Sequence, residues 1–459
     1  MTNFTPFQTY TEPLELLPFR AWQRLRLAPY DRGSASNRAS AGLASGISPD
    51  SHRGLVEAFA KALKCRSSRD SKALRSFTTL LLLTGLAQAA GIDQPHLAQI
   101  TERMNAFVAS GSIAGAVTLV EHQGKIVHLA ATGYADLASK TKMDTGTIFE
   151  IMSMTKPFTG VAIMMLAEEG RLSISDPLEK HLPEFRGIQL EENGRLKAPT
   201  RKITLHDLMT HTSGLPEYGP PALADIYTKF NHTLAEVTLL NSQLTLKFEP
   251  GAKWQYSNPG LAALGRVIEV ISGQPYEQFL AQRIFAPLGM KDSFFFPKPE
   301  QYPRIAHVYG TAGGKLTGYG DAIYRKGGKY AMPEGGMYST ATDLAAFYRM
   351  VLNGGVYNGK RLLSKASVDT MTKLHTGAID PAGHSPGMGY GLTWTVGKDA
   401  RSTTALLDQA TFGHGGAFGT DAFVDPKKDL IGILLIQRVP GAGSEQRVFR
   451  EIAASAVRE

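Results

Sequence analysis

From residue 91 onward, apolar positions switch between helical spacing and strand-like runs. Leu97, Ile100, Met104 and Phe107 recur at helical spacing, which predicts a helix over 93–109. Residues 114–121 and 125–131 read as two strands around the turn Gln123-Gly124. Residues 154–169 form a largely apolar helix that Gly170 ends. Leu264, Val267, Ile268 and Ile271 predict a helix over 261–272, closed by Gly273. Leu344, Phe347, Tyr348 and Val351 predict one over 343–352, with Gly354 past its end. Residues 364–374 are a further helical run, for which Gly377 reads as the end signal. Residues 296–335, rich in Gly, Pro and Tyr, read as loop. Strand character returns at 390–396, then at 417–424 and 429–437, an apparent hairpin around residues 425–428. A helix over 444–457 closes the chain.

Strands near both ends with helices between them predict an α/β chain of the α+β type. One central antiparallel sheet is assembled from residues 91–190 and 331–459 and flanked by helices. Residues 191–330 form a mostly helical inserted domain, with the site between the two. No internal repeat is present.

Composition fits a loop-rich enzyme: 43% of the 459 residues are hydrophobic and 47 are glycine. The net charge of +8 is unevenly placed. Residues 1–90 hold 12 Lys/Arg against 6 Asp/Glu, which leaves only +2 for the rest. No basic stripe or base-stacking motif accompanies that charge, which argues against nucleic acid as a partner. The single cysteine, Cys65, excludes a disulfide framework, and its Lys/Arg/Ser-rich setting argues against a thiol nucleophile.

Within residues 1–90, Lys72 and Arg75 precede the apolar run 77–86, and Ala87-Gln88-Ala89 follows. A basic flank, a short apolar core and small residues at the cleavage positions describe a secretory signal over 72–89, too short to span a bilayer. A buried helix is the alternative. The expectation is a periplasmic or secreted protein if that signal works, and a cytoplasmic one otherwise. The sixty or so residues ahead of it read as an over-extension of the reading frame or as a disordered leader.

Candidate chemistry begins with Ser153-Met154-Thr155-Lys156, at the head of the apolar helix. A serine three residues before a lysine on a helix puts hydroxyl and amine on one face, about one turn apart. Serine is a poor nucleophile without a base to take its proton, and a buried lysine can become that base. Ser139-Lys140-Thr141-Lys142 repeats the spacing, but no apolar helix follows it, so it reads as solvated surface. Gly383-His384-Ser385-Pro386-Gly387 fits G-x-S-x-G, yet lacks the strand before and helix after that a nucleophile elbow needs.

Tyr256-Ser257-Asn258 is the chain's one Tyr-x-Asn, a phenol able to relay a proton and an amide able to hold a substrate carbonyl. Asn258-Pro259-Gly260 is also turn chemistry ahead of a helix. His414-Gly415-Gly416 precedes a strand, where glycines would let edge-strand backbone approach an acyl group. It competes with His375-Thr376-Gly377, and either histidine can be structural. No metal-ligand set or cofactor motif is present in the sequence.

Together, these three boxes resemble the serine β-lactamase and penicillin-binding superfamily, closest to its class C-like branch and the family VIII carboxylesterases. The framing segments fit too: residues 149–152, Leu208-Met209-Thr210-His211-Thr212-Ser213-Gly214-Leu215, Glu249-Pro250-Gly251, Trp254, Pro287-Leu288-Gly289-Met290, Gly335-Gly336-Met337-Tyr338-Ser339-Thr340 and Tyr390-Gly391-Leu392-Thr393-Trp394. The resemblance covers roughly residues 95–455. It implies Ser153 as nucleophile, with Lys156 and Tyr256 sharing base and acid roles and Asn258 orienting the substrate. His414, Gly415 and Gly416 would line the substrate. The backbone N–H groups of Ser153 and Ala417 would form the oxyanion hole.

β-Lactamases of that branch carry Lys-Thr-Gly in the third box. His414 replaces their permanent cation with a group mostly neutral at pH 7. The reading is therefore a carboxylesterase acting on small acyl esters through an acyl-serine, with weak β-lactam hydrolysis. A β-lactamase, DD-peptidase or D-aminopeptidase, a non-hydrolysing penicillin-binding sensor, and an α/β-hydrolase using Ser385 are the competing readings.

Overall fold

The computed structural model describes residues 91–458, apart from Ala224, 321–324, Asp380, Ala382, 400–405 and Ala442. The signal-like segment 72–89 and Cys65 lie outside the described residues. Among the described residues, no helix is long and apolar enough to cross a membrane.

Helix α1 (Gln94–Ala109) starts where Asp93 accepts a hydrogen bond from the His96 N–H at 3.0 Å, and it buries Leu97, Ile100 and Met104. Strands β1 (Gly115–His122) and β2 (Lys125–Asp136) pair antiparallel. Gln123 and Gly124 between them both take positive φ (49° and 74°), the geometry a tight two-residue hairpin needs. Strand β3 is the short Thr141–Lys142.

Five later strands complete the sheet: β4 (Met388–Tyr390), β5 (Thr395–Gly397), β6 (Phe412–Gly415), β7 (Asp421–Asp425) and β8 (Leu430–Leu435). The order is β4-β5-β6-β7-β8-β1-β2-β3, with every neighbour antiparallel. Chain ends thus meet at β8–β1, where Val117 faces Leu435 and Leu119 faces Ile433. Both strands are buried throughout. Alternation explains how: Ile431, Ile433 and Leu435 join the core on one face, while Leu430 and Leu434 join α1's cluster on the other. A sheet covered on both faces reads as continuous apolar sequence, and a central antiparallel pair here does so.

Among the helices are α2 (Lys156–Glu168), α3 (Asn258–Ser272), α4 (Ala341–Leu352), α5 (Lys365–Thr372) and α6 (Ser444–Ser455). α1 and α6 cover one face through Met104, Phe449 and Ile452, while α2 and α4 contribute Phe158, Leu344 and Phe347 to the core on the other. Arg349 of α4 pairs with Glu121 of β1 and with Asp429 at the β7–β8 turn, fixing helix to sheet.

Several boundaries differ from expectation. Residues 390–396 are not one strand: Tyr390 ends β4, residues 391–394 form a tight connection with Thr393 at φ 69°, and Thr395 begins β5. α3 begins at Asn258 rather than Leu261, because Ser257 caps it by accepting from the Gly260 N–H. Helix α5 stops at Thr372, before Gly377. His375 instead donates its N–H to the Tyr390 carbonyl, extending the chain past the helix alongside β4. The loop-like segment 296–335 contains an antiparallel hairpin, Tyr309–Ala312 with Lys315–Gly318. Its turn residues Gly313 and Gly314 both have positive φ.

Candidate active site

Ser153 stands in a 3₁₀ turn, Met152–Thr155, immediately ahead of α2. Met152 takes a left-handed φ of 50°, a conformation costing a non-glycine residue about 1–3 kcal/mol. Neighbouring contacts enforce it. The Ile151 N–H donates to the Met337 carbonyl at 3.0 Å, and the Ile151 carbonyl accepts from Thr420 Oγ1 at 3.0 Å. Thr155 Oγ1 donates to the Met152 carbonyl at 2.7 Å and accepts from the Met337 N–H at 3.1 Å. Ser153 itself is half-buried at the head of this clamp.

Lys156 is fully buried, and its Nζ donates to Ser153 Oγ at 3.0 Å and to the Glu334 carbonyl at 2.5 Å. The same ammonium lies 4.6 Å from the centre of the Tyr256 ring. Nucleophile, amine and phenol from two distant segments therefore share one spot. Asn258 is buried one turn-residue away at the start of α3, its N–H bonded to the Glu217 carbonyl. The Ser139–Lys142 repeat is exposed, with Ser139 bonded to Asp136. Ser385 is also exposed, with bends before it and a turn after it, so no elbow forms there.

His414 is the next-to-last residue of β6, whose register with β5 stops at Gly413 while that with β7 runs on to Gly415. β6 is thus an interior strand with a locally unpaired end, rather than the edge strand expected. That free side meets the serine turn. A Cβ on Gly416 would stand 2.4 Å from the Ile151 carbonyl oxygen and 2.1 Å from Thr420 Oγ1. At Gly415 the nearest atoms would be 3.6 Å away. The two glycines therefore do different things. Gly416→Ala is expected to cost about 1–3 kcal/mol in thermal or urea unfolding and to slow acylation, because the serine turn must move. Gly415→Ala is expected to fold normally, so any rise in its KM reports substrate passing that point.

The His414 imidazole is buried, and its hydrogen bonds set its tautomer. Nδ1 lies 2.7 Å from the Gly415 carbonyl, which can only accept, so Nδ1 carries the proton. Nε2 then accepts from the Tyr390 hydroxyl at 2.7 Å. Burial, with help from the nearby Lys156 charge, pushes the His414 pKa down to about 3.

Three residues not proposed from the sequence as site residues complete the wall. His211, fully buried at φ 60°, accepts from the Ser257 N–H through Nδ1 and lies ring to ring with Tyr256 at 4.4 Å. Burial holds its imidazole well below the usual range. Tyr390 packs edge-on against it at 4.7 Å. His384 leans over Tyr256 at 4.6 Å and against Trp254 at 4.8 Å. His211 and Tyr390 sit in sequence boxes that mark the resemblance; His384 sits in the Gly383–Gly387 segment set aside as a nucleophile elbow, and nothing in that pattern marks it as a site residue. His375 is elsewhere, bonded to His206 at 3.0 Å.

Residues 100–457 match the Beta-lactamase family. The chain belongs to that family. A lovastatin esterase of Penicillium rubens is 29% identical over 73% of this chain and 91% of its own length. An N-acetylmuramyl-L-alanine amidase of Bacillus subtilis is 26% identical over 76% of this chain and 82% of its own. The solved structure of EstCE1, a hydrolase with promiscuous acyltransferase activity, covers 79% of this chain and 99% of its own at a TM-score of 0.69. At 23% identity that is a likeness of fold. The chain is thus a serine hydrolase of the β-lactamase and penicillin-binding superfamily, similar both to a protein named an esterase and to one named an amidase.

Proposed function

We propose that this protein is a carboxylesterase that cleaves small acyl esters through an acyl-Ser153 intermediate. Ser153 Oγ attacks the acyl carbonyl while its proton passes into the Lys156–Tyr256 pair. The Ser153 and Ala417 N–H groups take the developing oxyanion, and Asn258 orients the acyl part. The same pair returns the proton to the departing alcohol. Water then attacks the acyl-serine by the reverse route, releasing the acid and the free serine.

The observation that favours esters is the state of His414. Its buried, Tyr390-bonded imidazole presents no cation to the carboxylate of a β-lactam or a peptide C-terminus. A neutral ester needs no such partner. With the pKa lowered to about 3, His414 charges only near and below that pH. The KM for a neutral ester is therefore expected to show no inflection between pH 5 and 8 from this group. A tenfold KM change centred near pH 6.5 would contradict the assignment.

The amidase relative favours a second reading, cleavage of cell-wall or β-lactam amides. One panel separates them: short-chain nitrophenyl esters, nitrocefin and a D-Ala-D-Ala peptide. Fast ester turnover with slow nitrocefin turnover supports the esterase. The opposite ranking overturns it. A stable adduct without turnover indicates a sensor.

A further inference from the structure

Beneath Lys156 lies a carboxyl group that the acyl-transfer reading leaves unused. Lys156 and Thr159, three residues apart on α2, hold two successive carbonyls: Lys156 that of Glu334 at 2.5 Å, and Thr159 that of Pro333 at 2.9 Å. Thr159 is fixed in turn by the Tyr276 hydroxyl at 2.8 Å. Glu334, whose carbonyl the lysine holds, is itself buried. One carboxyl oxygen, Oε1, accepts from the Tyr330 hydroxyl at 2.6 Å. The other, Oε2, is buried with no hydrogen-bond partner among the described residues.

A lone carboxylate oxygen in such a place is costly, and a protonated one is not. The groups facing it are Lys156 from α2, Arg325 and Tyr330 from the segment before it, and Tyr276. Arg325 is already committed, donating to Glu150 and to the Gly336 carbonyl. Lys156 is the cation whose charge can still change.

We propose that Glu334 is a positioning residue that governs the charge of Lys156: its anionic form holds the proton on Nζ, and its neutral form lets Nζ give that proton up. The inference rests on the reading of Lys156 as part of the base for Ser153. Burial supports it by pushing the Glu334 carboxyl up to about 7, so the switch falls in the working range. As pH rises through neutrality, the new anion retains the Lys156 proton and delays the free amine. Acylation then climbs with pH later than it would without the carboxyl.

Glu334→Gln keeps the size and the acceptor for Tyr330 but cannot ionise. The acid limb of kcat/KM for a neutral nitrophenyl ester is expected to move down by about one pH unit, a roughly tenfold gain low on that limb. Tyr330→Phe removes the donor that favours the anion, and a smaller shift in the same direction is expected. A second readout is independent of activity. A folded carboxyl whose pKa is raised binds its proton more tightly than the unfolded chain does. Stability from it is therefore full below the unfolded value of 4.5 and is lost as pH rises to about 7. The Tm of Glu334→Gln relative to wild type is accordingly expected to rise between pH 5 and pH 8.

An acid limb unmoved in both variants, with Ser153 labelled by a phosphonate probe, overturns the inference alone. A Tm difference constant with pH does so too, because the carboxyl then does not titrate in the fold. Wild-type protein whose Ser153 takes no label overturns the acyl-serine reading and this inference together.

Discussion

Ser153→Ala is expected to abolish ester turnover, by a factor on the order of 10⁴–10⁶, while the protein still folds. The size follows from what alanine leaves behind. The proposed oxyanion donors are backbone groups and stay, so binding and electrostatic stabilisation persist and some rate above background survives. What is lost is the only covalent route. The substitution is also mild for the fold: Ser153 is half-buried, and Lys156 keeps its second acceptor, the Glu334 carbonyl. Initial rates on a nitrophenyl ester, with intact-mass measurement after a phosphonate probe, check both parts. Wild type should gain one adduct mapping to Ser153 and the variant none. An adduct on Ser385, or near-normal rates in the variant, would move the nucleophile elsewhere.

The architecture was readable wherever one physical rule acted alone. The β1–β2 hairpin follows from two apolar runs around Gln-Gly, and the ends of α2, α3 and α4 from Gly170, Gly273 and Gly354, all at positive φ. The failures share a cause. Residues 390–396 read as one strand because Tyr, Leu, Thr, Trp and Val suit strands. Yet the Gly391 N–H bonds to the Trp394 carbonyl, and Thr393 donates to Met209 in another segment. Tertiary hydrogen bonds overrode local propensity there.

At the site, the serine–lysine spacing foretold the contact between Oγ and Nζ, since three residues of helical backbone suffice to make it. What sequence could not supply is the left-handed Met152, set by contacts to residues 337 and 420. Nor could it supply the buried carboxyl of Glu334. Both arise from contacts that span at least 178 positions of the chain, and only the fold joins them. The roles of the two glycines in the third box were likewise hidden. Their difference lies in what faces each Cα, which spacing does not encode.

Lys156→Ala and Tyr256→Phe are each expected to lower the acylation rate by about 10²–10⁴, and the double variant by far less than the product of the two. The structure supports treating them as one unit. The lysine Nζ bonds the serine hydroxyl at 3.0 Å and lies 4.6 Å from the centre of the phenol ring, so it touches both the nucleophile and the tyrosine. Removing either leaves the other without the partner that tunes it. Their structural consequences differ, which helps to separate chemistry from packing. Tyr256→Phe keeps the ring contacts to His211 and His384, so its Tm should stay close to wild type. Lys156→Ala strips a buried donor from the Glu334 carbonyl and opens space beneath Ser153, so a loss of about 1–3 kcal/mol is expected alongside the kinetic defect. Single-turnover kinetics isolate acylation from deacylation, and a small primary amine added to Lys156→Ala should restore part of the rate if the missing group is a base. Near-normal acylation in both single variants would remove the shared-base mechanism and leave Ser153 to be activated by another group.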